Sequence, residues 1–166
     1  MAWHNNDGLY IKYGTEVATP ARGGEVNTDG NMHEVIFEVQ GEDIPAVSAP
    51  LYLSDTYIIP AGAIIDELEM TVIEATVGTN ATWDVGLAKL DRTEYDYNGL
   101  VAAGDGIHEA AVGTKETYTQ GSTEHGAVLG IVVAFDSYVT INYDTAALTD
   151  GVLQIRIRWF VPVTAS

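Results

Sequence analysis

Within the stretch from Tyr57 to Gly104, two runs of side chains alternate with a period of two, and that alternation constrains the fold more than any other feature of the chain. After the turn residues Pro60 and Gly62, Ile64, Leu68, Met70 and Val72 fall on one face, and Glu67, Glu69 and Thr71 on the other. Successive side chains of a strand point to opposite sides of a sheet, so this is a strand with one buried and one wet face. Gly78-Thr79-Asn80 reads as a turn, after which Trp83, Val85 and Leu87 restart the alternation. The stretch therefore predicts a hairpin, followed by an acidic loop.

The same pattern recurs along the chain. Leu9 to Tyr13 reads as a short strand, and His33 to Gln40 as a longer one that turns Val35, Phe37 and Val39 to the core. Pro45, Pro50 and Pro60 predict irregular or edge structure around Leu51 to Leu53, because proline cannot donate to a ladder. Thr117 to Thr119 suits a short strand and Ile107 to Val112 one helical turn, and neither is decided by pattern. Val128 to Phe135 is apolar on both faces, as a covered central strand would be. Asp136-Ser137 sets it at hairpin spacing from Tyr138 to Tyr143. After Asp150-Gly151, Leu153, Ile155, Ile157, Trp159 and Val161 alternate with Gln154, Arg156, Arg158 and Phe160.

No dozen residues carry a 3.6-residue period. Seven or eight strands with Gly, Pro and Asn turns predict an all-β, single-domain β-sandwich over residues 1–166, preferably a jelly roll, with long polar connecting loops. Residues 1–8 read as a flexible N-terminal arm. The Gly-rich segment from Gly14 to Asn31 is long for a connection, and reads as functional or as an arm laid over a neighbour.

Hydrophobic residues make up 46% of the chain, enough for a core and against wholesale disorder. The 24 acidic and 7 basic residues give a net charge of −17, which disfavours nucleic acid and anionic lipid as partners. An acidic surface also serves solubility alone. Cysteine is absent, so disulfides, thiolate nucleophiles and cysteine-bound metals are excluded. The N-terminal MAWHNNDG shows no secretory pattern, and no apolar run approaches a membrane span.

Catalytic patterns are missing from the sequence. No serine sits in Gly-x-Ser-x-Gly, and His4, His33, His108 and His125 are scattered without ligand spacing. His33 shares the parity of Val35 and Phe37 and reads as a histidine at the rim of the core. Glu67 and Glu69 read as a solvated face rather than a glycosidase pair. Neither Gly104-Asp105-Gly106 nor Gly23-Gly24 has the strand and helix that a phosphate loop needs. Asp91, Glu94, Asp96 and Asn98 offer hard oxygen donors that suit calcium, although their spacing is not that of an EF-hand. The plainer reading is a turn in which Asp and Asn cap backbone amides. Tyr95 and Tyr97 suit sugar stacking or anchoring of their loop. Arg22, Arg156 and Arg158 are candidates for intersubunit contact, against cross-strand pairing within the chain.

Four segments follow in order: Asp7-Gly8-Leu9-Tyr10-Ile11-Lys12-Tyr13-Gly14, Ile59-Pro60-Ala61-Gly62-Ala63-Ile64-Ile65, Thr82-Trp83-Asp84-Val85-Gly86-Leu87, and the run Asp91-Arg92-Thr93-Glu94-Tyr95-Asp96-Tyr97-Asn98-Gly99-Leu100-Val101-Ala102-Ala103. The series resembles small virion structural proteins of tailed bacteriophages, particularly those of marine and cyanobacterial hosts, from about Asp7 to Val161. The resemblance implies a jelly-roll decoration or cement protein on the outer capsid surface, assembled in the host cytoplasm. It implies a homotrimer that clamps the major capsid protein, with no enzymatic activity and no cofactor. The functional surface of such proteins is variable, so the resemblance assigns no site residues, and Arg22, Arg156 and Arg158 stay candidates for capsid or intersubunit contact on the residues alone. The alternative is a head-fibre, tail or baseplate module that binds host glycans through Trp3, Tyr95, Tyr97 or Tyr118.

Overall fold

The longest strands form where alternation is strictest, and they pair with each other. In the computed structural model, β4 (Met32–Gln40), β6 (Ile64–Val77) and β11 (Asp150–Phe160) lie side by side with β11 in the middle. The structure describes residues 2–4, 10–12, 21–29, 32–46, 49–107 and 109–162, the first three segments as strand backbone only. Those three are β1 (Ala2–His4), β2 (Tyr10–Lys12) and β3 (Ala21–Asp29). The remaining strands are β5 (Leu51–Tyr52), β7 (Trp83–Lys89), β8 (Glu94–Gly104), β9 (Lys115–Thr119) and β10 (Ser137–Tyr143). The only helical turn among the described residues is a 3-10 turn, Gly41–Asp43.

Two antiparallel sheets result, in the orders β3-β4-β11-β6-β9 and β5-β10-β7-β8, beside a small β1-β2 pair. The pairing is nested: β4 with β11, β5 with β10, β6 with β9, and β7 with β8. First pairs with last at every level, as if one long hairpin had been rolled into two sheets. That is the jelly-roll topology, with β3 added at one edge.

The core lies between the sheets. Val35, Phe37 and Val39, the β11 set Leu153, Ile155 and Ile157, and Leu68, Met70 and Val72 stand side by side on the inner face of the five-stranded sheet, all buried, as the alternation predicts. The second sheet contributes Trp83, Val85, Leu87, Val139 and Ile141. His33 does sit at the rim, stacked on Trp159 with ring centroids 4.0 Å apart. Val161 lies beyond the end of β11 and is exposed, so the alternation stops one residue earlier than predicted.

Four expectations are overturned. The turn at Gly78-Thr79-Asn80 does not close a hairpin, because β6 and β7 belong to different sheets. The segment from Gly14 to Asn31 is not wholly a connection, since Ala21–Asp29 is a strand in register with β4; residues 14–20, 30 and 31 lie outside the described ones. Residues 128–135 do not form a central strand. Gly130 adopts φ +79°, a left-handed angle, and the segment breaks into turns there. It serves as a strap instead. Gly126 and Val128 donate to Leu100 and Gly99 of β8, while Gly130 and Val133 donate to Ile65 and Ala63 at the start of β6. Its inward side chains Val128, Leu129 and Val133 are buried, whereas Ile131, Val132 and Phe135 are exposed. An apolar run on both faces was the signal, but half of those side chains meet water. Tyr138 to Tyr143 accordingly pairs with β7 and β5, not with this segment. Residues 109–114 form turns rather than a helix, and His108 lies outside the described residues.

Candidate functional site

The outer face of the five-stranded sheet carries a charge ladder built by register. Arg156 stands opposite Glu69 on β6 and next to Glu34 of β4, and Arg158 stands opposite Glu67 and Glu34. Arg156 lies 3.1 Å from Glu69, 3.8 Å from Glu34 and 3.9 Å from Glu67; Arg158 lies 3.5 Å from Glu67. Lys115 on the edge strand β9 closes the row, 3.0 Å from Glu69. Burial by itself would raise the Glu69 carboxyl, but Lys115 and Arg156 outweigh it and hold Glu69 below its ordinary value. Arg156 and Arg158 are thus paired within the chain, and Glu67 and Glu69 are half-buried partners rather than a solvated face. Arg22 is in register with Glu38 at the margin of the same sheet.

The Asp91 to Gly99 loop is divided between two structures. Asp91 caps the tight β7–β8 turn, its carboxylate accepting from the Thr93 amide and hydroxyl, which hold its pKa low. Arg92 at this turn has φ +64° and pairs with Asp55 at 2.6 Å. Glu94, Asp96 and Asn98 belong to β8, which bulges away from β7 between Asp96 and Val101. Asp91 is therefore engaged as a turn cap, while the other candidate calcium donors are distributed along a strand. Tyr95 is an anchor: its ring stands on edge to Phe135 at 5.3 Å, and its hydroxyl accepts from the Ala134 amide. Tyr118 is buried, and Trp3 lies in a segment described as backbone only. Tyr97 is half-exposed and joins Tyr52 and Tyr138 on the outer face of the four-stranded sheet, where Tyr52 and Tyr138 meet edge to face at 6.0 Å.

Sequence reading missed a carboxylate group at the open edge between β8 and β9. Asp105, Glu116 and Glu124 place their oxygens within 4.8 Å of one another, and among the described residues they form a group with metal-ligand spacing. Burial, then the charges of Glu116 and Asp105, push the Glu124 carboxyl up. Glu116 also accepts a hydrogen bond from the Tyr118 hydroxyl, whose pKa burial drives far upward. No local spacing could have revealed this group, because the loop after β8, strand β9 and the turns between β9 and the strap bring its members together. Asp84 is a second buried acid. Its Oδ1 accepts from the Ala103 amide at 2.8 Å and its Oδ2 from Asn142 at 3.2 Å, and burial raises its pKa.

No protein-family model matches the chain, and no curated protein matches its sequence. Among solved structures, a chain from the capsid of Ralstonia phage GP4 is similar at a TM-score of 0.53 and 17% identity, over 84% of this chain and 90% of that one. A chain from the capsid asymmetric unit of cyanophage Pam1 aligns at 0.45 and 12% identity, over 98% of this chain and 100% of that one. A third, from the acidic stable capsid of Helicobacter pylori bacteriophage KHP30, aligns at 0.44 and 14% identity, over 86% and 95%. The first likeness establishes the shared fold.

Proposed function

We propose that this chain is a structural component of a tailed-phage virion: a decoration or cement protein on the outer capsid surface that stabilises the lattice of the major capsid protein as a homotrimer. The observation that carries this reading is the nested jelly roll, whose fold is shared over 84% of the chain with a chain of a phage capsid. A fold by itself hosts many functions. The ordered motifs from Asp7 to Val161 narrow the choice, and so does the surface. Each lysine and arginine whose side chain is described is engaged within the chain: Lys89 over Phe135, Arg92 with Asp55, Lys115 with Glu69, and Arg156 and Arg158 in the ladder. The outward field is then that of the carboxylates, which suits a position away from packaged DNA. We retain Arg22, on the edge strand β3, as a capsid or intersubunit contact. Calcium on Asp91, Glu94, Asp96 and Asn98 is kept as a proposal, with Asp91 Oδ1 already engaged by the Thr93 amide and hydroxyl.

Immunogold labelling of purified particles tests the reading. Even label over the heads, with loss of heat resistance in particles lacking the chain, is the expected result. Label confined to the tail would support the second reading, a glycan-binding module, which the half-exposed trio Tyr52, Tyr97 and Tyr138 favours. Absence of label from the particles would end both.

A further inference from the structure

The two ends of the sandwich differ in chemistry. At one end, residues 41–46, 78–82, 105–107, 109–114 and 144–150 carry Glu42, Asp43, Asp105, Glu109, Asp144 and Asp150, all exposed, and among these described residues there is no lysine or arginine. The other end is defined by the start of β6, the end of β11 and the β7–β8 turn; the strap joins it through Val132 against Ile64, and the start of β10 through Ser137 against Ile59. Of the nine exposed large apolar side chains among the described residues, six lie there: Ile58, Leu90, Ile131, Val132, Phe135 and Val161. Ile131 and Val132 are half exposed, at 51% and 50%, although the strap that carries them is pinned by backbone bonds to both sheets. Only Ile73, Val77 and Val112 lie elsewhere.

We infer that this apolar end is the docking surface, and that its occupant is a different protein presenting an apolar patch rimmed by lysine and arginine. Burying the opposite end would strip water from the exposed carboxylates Glu42, Asp43, Glu109, Asp144 and Asp150, which is costly. The apolar end loses little by desolvation and gains from burial of its side chains. Charge decides the occupant. The rim of the apolar end holds Asp66, Asp91, Glu94 and Asp136, while Lys89 and Arg92 are turned to Phe135 and Asp55. A second copy would bring the same carboxylates against these, with its described cations already engaged, and like charges across an interface repel. A cationic rim on another protein complements them.

This inference rests on the virion reading, which supplies the partner: the major capsid subunit. The test uses empty expanded shells of that subunit, free of this chain, in co-sedimentation titrations. The double variant I131S/V132S should bind roughly tenfold more weakly or worse, from lost apolar burial. E94K should also weaken binding and flatten its salt dependence. V112S, at the acidic end, should bind as the parent does. Melting curves establish that each variant folds, which exposed positions permit. If I131S/V132S binds like the parent while V112S does not, the docking end is wrong and the virion reading survives. If the parent itself fails to bind shells, the virion reading falls and the named partner with it. If I131S/V132S instead dissolves a self-associated parent in sedimentation velocity, the occupant is a second copy and the inference is overturned.

Discussion

Arg156 Nη2 lies 3.1 Å from Glu69 across the β11–β6 ladder, and the same guanidinium reaches Glu34 on the other neighbouring strand at 3.8 Å. One cation thus ties three strands on the face turned away from the core. It stands where three glutamates of one sign would otherwise crowd together.

Replacing Arg156 by Met keeps much of the aliphatic stem and removes the charge. Its head is partly exposed, so the expected loss is about 1–3 kcal/mol rather than the full cost of a buried pair. Urea denaturation measures it. The sign with pH follows from Glu69, whose folded pKa lies below its ordinary 4.5. Its stabilising pairing is present above that value and is lost as pH falls through the folded one, so the R156M deficit should shrink in acid. A deficit unchanged between neutral and acidic pH would show that the ladder does not act through charge.

Glu124 has the opposite sign. Burial and two neighbouring carboxylates raise its folded pKa. Its contribution is therefore fully present below the ordinary value and disappears as pH rises through the raised one. E124Q should match the parent in acid and melt higher at neutral pH. Thermal melts across that interval decide the matter, and a variant that melts lower at neutral pH would count against like-charge strain in the Asp105–Glu116–Glu124 group.

Asp84 separates hydrogen bonding from charge. D84A leaves the Ala103 amide and the Asn142 amide without their acceptor, and should cost about 1–3 kcal/mol. D84N keeps an acceptor for Ala103. A flipped Asn142 can then accept from the new amide through Oδ1, which has no partner in the parent. Because burial raises the Asp84 pKa, D84N should equal or exceed parent stability at neutral pH. Equal losses in both variants would refute this account.

Gly86 tests the β8 bulge. A Cβ there would overlap the carbonyl oxygens of Asp96 and Tyr97, and backbone cannot move aside as a side chain can. G86A should destabilise by about 3 kcal/mol or prevent folding, at the upper end of overpacking effects. Soluble yield and melting temperature report it, and a G86A protein as stable as the parent would mean that the bulge is loosely held.

Much of this was legible in the chain. The alternations of His33 to Gln40, Ile64 to Val72 and Leu153 to Trp159 identify strands and their buried faces, because a period of two is a local property. Asp29-Gly30-Asn31 before β4 was a hairpin signal that the glycine content of the preceding segment obscured. Asp91 as a turn cap was legible for the same reason, since its partner Thr93 is two residues away.

What each strand pairs with was decided only by the tertiary structure. Gly78-Thr79-Asn80 is an adequate turn whether the chain returns to the same sheet or crosses to the other one. Residues 128–135 read as a buried strand because hydrophobicity records what can be buried, not what is covered. The Arg156 ladder, the Asp105–Glu116–Glu124 group and the apolar end all join residues far apart in sequence. Alternation therefore determined by itself which segments are strands and which faces turn inward. The nesting of β4 with β11 down to β7 with β8 decided which charges meet, and which apolar side chains were left in water.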